Sequence, residues 1–178
     1  MSRQSQILEA ASRVIVDFGL NKLTLEMVAK EAGISKGGLL YHFPNKEELI
    51  TALNVYALEE FKRKINLELV NIKEENGKFL RAYALATINE LTESNHILLN
   101  SSLLASLANN IEALTLWRKQ YEQWELDFNR EKVKREDVLT IRFVCDGLWF
   151  SSMFHLDVIE KEEAVHLIKY LLGKLEEV

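Results

Sequence analysis

Between Leu23 and Leu49 the chain reads LTLEMVAKEAGISKGGLLYHFPNKEEL, a run whose stop and start signals leave little freedom in how it folds. Thr24 is placed to cap a helix whose apolar side is Leu25, Val28, Ala29 and Ala32, with Glu26 in the first turn where the helix dipole favours negative charge. Gly33 can take the left-handed conformation that closes a helix, and Ser35 follows as the next N-cap. The second short helix must end at Phe43, because Pro44 has no N–H to donate and disfavours helical geometry in the residue before it. Asn45, with Glu48 three residues on, forms a capping-box pattern for a third helix. Helix, turn, helix, stop is the unit that lays its second helix in the major groove of DNA.

The string AGISKGGLLYHFPNKEEL resembles the helix-turn-helix signature of the TetR family of bacterial transcriptional regulators, with Gly-Ile-Ser at the turn, Tyr-His-Phe ending the recognition helix and Lys-Glu-Glu-Leu opening the next. The resemblance is close over about the first third of the chain and extends to the remainder only in length and helical character. It implies DNA contacts from Ser35, Lys36, Gly37, Tyr41, His42 and Lys46, with Thr24 at the head of the unit. Gly38 stands where many members have Thr or another small β-branched or polar residue, and Leu40 where many have a Tyr that touches the DNA backbone, so those two contacts are not carried over. Further implications are an inducer pocket in the body and a homodimer formed through the last two helices.

With 178 residues, 48% of them hydrophobic, and a single proline, the composition favours an all-α fold. We expect an N-terminal three-helix head over residues 1–47 and a larger ligand-binding and dimerisation body over 48–178. The net charge of −5 is unhelpful near phosphates, but it is unevenly spread. Residues 1–64 balance at +1, the acid lies beyond them, and from Gly33 to Lys46 there is no acidic residue at all.

Periodicity divides the rest into helices. Ile7, Leu8, Ala11, Val14, Ile15 and Phe18 mark one face of a first helix ending at Gly19. A long helix from Lys46 to about Asn71 ties head to body, and Asn76-Gly77 separates it from another near Lys78–Glu93. A further helix is expected at Ile97–Ala108. Ile111, Leu114, Trp117, Tyr121, Trp124 and Phe128 then form a stripe at spacings of three and four, of which Leu114 and Phe128 are read as core. The last two helices are expected near Glu136–Leu156 and Lys161–Leu175.

An aromatic stripe is usually core, but Trp and Tyr also suit the wall of a cavity for a lipophilic compound. On the resemblance we expect Trp117, Tyr121 and Trp124 to face Tyr83, Phe143 and Phe150. Asp146 lies among these groups, either as a satisfied structural hydrogen-bonder or, if unpaired and facing the cavity, as a reader of cationic ligands. The segment FVCDGLWFSSMFHL is bulky on several sides at once, more than one helix face can hide in a small monomer. Gly147 and Ser151 form a small-residue ridge suited to close helix approach, and Phe154, Ile168, Leu171 and Leu175 are assigned with them to the dimer interface.

The sequence has no G-x-S-x-G elbow, H-E-x-x-H or P-loop, and its four histidines show no metal or acid-base spacing, so an enzyme is not expected. Neither a cofactor nor a metal is implied. The N-terminus lacks the uncharged core of a signal peptide, and the run from Ser94 to Ile111 is too rich in Asn and Ser for a bilayer, so a cytoplasmic protein is expected. The expected function is a ligand-responsive regulator, a repressor released from a palindromic double-stranded DNA operator by a hydrophobic or amphipathic small molecule. The competing reading is a helical adaptor that has lost specific DNA binding.

Overall fold

The computed structural model describes residues 2–92, 103, 106, 110–153, 156 and 159–176. Among them are eight α-helices and no strand: α1 (Arg3–Phe18), α2 (Leu25–Glu31), α3 (Lys36–His42), α4 (Lys46–Asn71), α5 (Lys78–Thr92), α6 (Ile111–Asn129), α7 (Arg135–Met153) and α8 (Lys161–Gly173). Short 3-10 turns, Leu20–Lys22 and Lys174–Glu176, follow α1 and α8. The expected helix at 97–108 lies almost wholly outside the described residues, as does Phe154.

Each stop and start in the head is made by the group that the sequence offers for it. Thr24 Oγ1 accepts from the Met27 N–H at 3.2 Å, Ser35 Oγ from Gly38 at 3.1 Å, and Asn45 Oδ1 from Glu48 at 2.8 Å. Caps of this kind contribute about 1 kcal/mol each. Gly33 closes α2 with φ of +65°, a conformation that costs an L side chain about 1–2 kcal/mol.

Among the described residues two apolar clusters form the core, and α4 belongs to both. Leu49, Leu53 and Ala57 join Ile7, Val14, Val28, Leu39 and Phe43 beneath the head, while Leu58, Phe61 and Ile65 join the body. Within the body α5 is the central helix, packed against α4, α6, α7 and α8. Its small residues explain this: Ala82, Ala84, Ala86 and Thr87 are all buried and let neighbours approach from several sides. A buried ion pair, Lys64 Nζ to Glu90 Oε1 at 2.8 Å, links α4 to α5.

Two apolar positions differ from expectation. Phe18, assigned to the packing face of α1, is 53% exposed: it is the last residue of the helix before Gly19, beyond the last buried residue, Ile15. Leu114 is exposed rather than core, whereas Trp124 and Phe128 are buried. The α6 stripe therefore sinks into the body from its N-terminal to its C-terminal end. No helix among the described residues is long and apolar enough to cross a membrane.

Candidate DNA-binding surface and effector cavity

At the head, α3 projects its polar side outward from a single apolar anchor, Leu39, the one buried residue of the helix. Ser35, Lys36 and Gly37 are exposed at its start, and nothing lies within 4 Å of where a Cβ on Gly37 would sit, so another backbone can come close. Tyr41 is 85% exposed, an extreme value for so large an aromatic side chain, with its ring edge-on to His42 at 5.2 Å. Lys46 reaches back from the start of α4 to the Leu20 carbonyl at 3.4 Å. The hydroxyl of Thr24 is engaged in capping α2.

One participant escaped the sequence reading. Glu26, in the first turn of α2, pairs with Lys36 across the turn, both groups being more than half exposed. The Lys36 ammonium holds the Glu26 carboxyl below its ordinary range. A carboxylate thus shields the principal cation of α3. Counting acid only between Gly33 and Lys46 missed it, because the contact spans ten residues of sequence.

In the body, Ala57 and Phe61 of α4, Tyr83 of α5, Trp117, Tyr121 and Trp124 of α6, Trp149 of α7 and, between α5 and α6 in the chain, Leu103 line a cavity of about 40 Å³. That is room for a few waters, at roughly 10–15 Å³ each, against roughly 300–1,000 Å³ for a small-molecule site. Phe61 is the hub, with its ring edge-on to Tyr83, Trp124 and Trp149 at 5.5, 5.7 and 5.8 Å. The structure brings Trp117, Tyr121, Trp124 and Tyr83 together as expected. Phe143 and Phe150 are not with them. They are 62% and 54% exposed on the outer side of α7, and Trp149 stands in their place. Helical periodicity is the reason: Arg142, Asp146 and Trp149 share one face of α7, and Phe143, Gly147 and Phe150 share another.

Asp146 lies behind the aromatic wall, with one carboxylate oxygen hydrogen-bonded and the other beside a cation. Its Oδ1 accepts from Tyr83 Oη at 2.8 Å and Tyr121 Oη at 3.2 Å, and Oδ2 lies 3.8 Å from Arg142 Nε. Burial raises the Asp146 carboxyl above its ordinary value, opposed by Tyr83 and Arg142, and burial pushes both tyrosine hydroxyls well up, keeping them protonated as donors. Arg142 continues outward to Glu125 Oε2 at 2.6 Å, and Glu125 pairs in turn with Arg135. The condition under which Asp146 would await a cationic ligand is not met.

The expected interface residues divide. Gly147 is exposed, with nothing within 4 Å of a would-be Cβ, and Ser151 and Leu171 are partly buried. Ile168 and Leu175 are corrected: both are buried in their own protomer, because Ala164, Ile168, Leu172 and Leu175 form the side of the last helical segment that faces the core. The outward apolar residues of α8 are Leu167 and Tyr170, which the sequence reading did not single out.

Two family models match the chain: "Bacterial regulatory proteins, tetR family" over residues 7–53, and "Tetracyclin repressor-like, C-terminal domain" over residues 77–176. The HTH-type transcriptional regulator BetI of Pectobacterium atrosepticum is 24% identical over 176 residues, spanning 93% of this chain and 89% of that protein. An uncharacterised HTH-type transcriptional regulator, YhgD of Bacillus subtilis, is 39% identical over 64 residues, 36% of this chain and 34% of that one. Among solved structures, a transcriptional regulator of Rhodococcus sp. Rha1 superposes with a TM-score of 0.77 at 17% identity, over 99% of this chain and 97% of that one.

Proposed function

This chain belongs to the tetR family of bacterial regulatory proteins, and on that premise we propose that it represses transcription from a palindromic operator and is released when a hydrophobic small molecule enters the body. Members of the family are DNA-binding regulators with a ligand-binding C-terminal domain. Repression, the palindrome, the residues in contact and a cytoplasmic site of action are our reading. A regulator rather than an enzyme is what family membership implies.

One observation carries the proposal: a single helix serves both sites. Leu49, Leu53 and Ala57 of α4 help to build the core under the recognition helix, while Ala57 and Phe61 line the cavity. A cavity of about 40 Å³ must open to admit a ligand, and moving its α4 wall would also move the ground on which α3 stands. A ligand favouring the opened state then shifts the population away from the DNA-binding arrangement. Coupling of ~1–3 kcal/mol, or roughly 5- to 150-fold in operator affinity, is the usual scale. On the DNA side, Ser35, Lys36, Gly37, Tyr41 and His42 form the reading surface, Lys46 a phosphate contact, and Thr24 positions α2.

The test is a binding titration of DNA from upstream of the chain's own gene against random DNA of equal length, run with the parent and with Glu26→Gln. The parent is expected to prefer the upstream DNA. Glu26→Gln, which frees Lys36 and removes a negative charge from the phosphate-facing side, is expected to bind both DNAs about three- to tenfold more tightly at low salt, with the gain shrinking as salt rises. Equal parental affinity for the two DNAs would favour the adaptor reading.

A further inference from the structure

We propose that the effector is an uncharged molecule that carries a hydrogen-bond acceptor and presents it to the indole N–H of Trp117. The inference deepens the reading of the body as an effector chamber and rests on it. Trp117 lines the cavity, and its Nε1 is buried with no acceptor among the described residues. A buried donor left unpaired costs free energy, and a ligand acceptor that meets it recovers that cost.

The charges around the cavity decide the rest. A cation would be drawn by an available carboxylate, but Asp146 is held by two tyrosine hydroxyls and flanked by Arg142. Arg142 is matched by Glu125, Glu125 by Arg135, and Lys64 by Glu90, so the ionic groups near the chamber are locally balanced. The Tyr121 ring already has the Arg142 guanidinium over it, 5.3 Å from the ring centroid. A cationic or an anionic ligand would therefore give up its hydration without a free counter-charge in the cavity. A neutral ring meets neither cost. It can pack against Phe61, Trp124 and Trp149, and a carbonyl or comparable acceptor on it can take the Trp117 proton. A site with a fixed donor also discriminates against an analogue that lacks the acceptor.

The experiment uses three probes of similar size: acetophenone, α-methylstyrene, in which a C=CH₂ replaces the C=O, and phenyltrimethylammonium. Equilibrium dialysis of each against the full chain and against Trp117→Phe, without DNA, gives the ketone-to-alkene affinity ratio. That ratio is expected to fall by about three- to tenfold in Trp117→Phe, since the alkene corrects for hydrophobicity and the phenyl ring retains the wall. In the unmodified chain, one indole ¹⁵N–¹H resonance is expected to move downfield with the ketone and not with the alkene, which decides the matter even if the variant does not fold. An unchanged ratio in a folded variant, an indole spectrum that does not distinguish ketone from alkene, tighter binding of the ammonium than of the ketone, or no binding of any probe would each overturn the proposal. These results are independent of DNA, so their failure leaves operator binding intact, and failure of operator binding leaves them readable.

Discussion

Replacing Phe143 and Phe150 together by Asp is expected to yield folded monomers and to lower operator affinity by roughly 10²- to 10⁴-fold. Both rings are exposed, on one face of α7 with Gly147 between them. Leu167 and Tyr170 of α8 are exposed too, and large exposed apolar side chains on neighbouring helices mark an interaction surface. A second copy related by a two-fold axis would cover this face in a four-helix arrangement, with the glycine permitting close approach. Because neither ring is buried within the protomer, substitution costs it little. In a dimer the same change would place four carboxylates at an apolar contact and desolvate them. The affinity loss follows from avidity, since two linked heads bind their half-sites as one and separate heads do not. Sedimentation should report the monomer mass and circular dichroism an unchanged helix content; a double variant that remains dimeric would place the interface elsewhere.

Leu39→Ala is expected to abolish specific DNA binding, by more than about 100-fold, while leaving the body folded and dimeric. The recognition helix has seven residues and includes Gly37 and Gly38. Each glycine costs it about 1 kcal/mol relative to alanine. Its local stability is therefore poor, and Leu39 is its one buried side chain. Truncating a fully buried leucine costs about 2–5 kcal/mol, enough to release so short a helix. Hydrogen exchange should show lost protection in α2 and α3 and retained protection in α5 and α7. Operator affinity within about tenfold of the parent would mean that other contacts hold α3 in place.

The difference between head and body in these predictions matches the difference in how legible they were. The elements of the head are set by signals that act over four residues or fewer: the Thr24, Ser35 and Asn45 caps, the positive φ at Gly33 and the block at Pro44. Such signals can be read without knowing what packs on what. Helix positions in the body were legible for the same reason, with α4 running over Lys46–Asn71 as its pattern suggests. Which side of each helix faces inward was not, because that depends on helices far apart in sequence. The FVCDGLWFSSMFHL segment offers large apolar groups in several directions, and only the contacts of α7 with α5 and α8 decide that Trp149 turns in while Phe143 and Phe150 turn out. Ile168 and Leu175 follow the same rule: their spacing marks an apolar face, and the core shared with α5 and α7 claims it. Phe61 was visible as one apolar position on α4, but its place at the hub of the cavity arises from Tyr83, Trp124 and Trp149.

A footprint of the purified protein on DNA upstream of its own gene, with and without a compound that enters the Phe61–Trp117–Trp149 cavity, tests the whole account most directly. We expect two symmetric protected half-sites with centres about 34 to 36 Å apart, or a multiple of that, both lost together when the compound is added. Protection no different from that on random DNA, or a two-half-site footprint that persists when the cavity is filled, would contradict it.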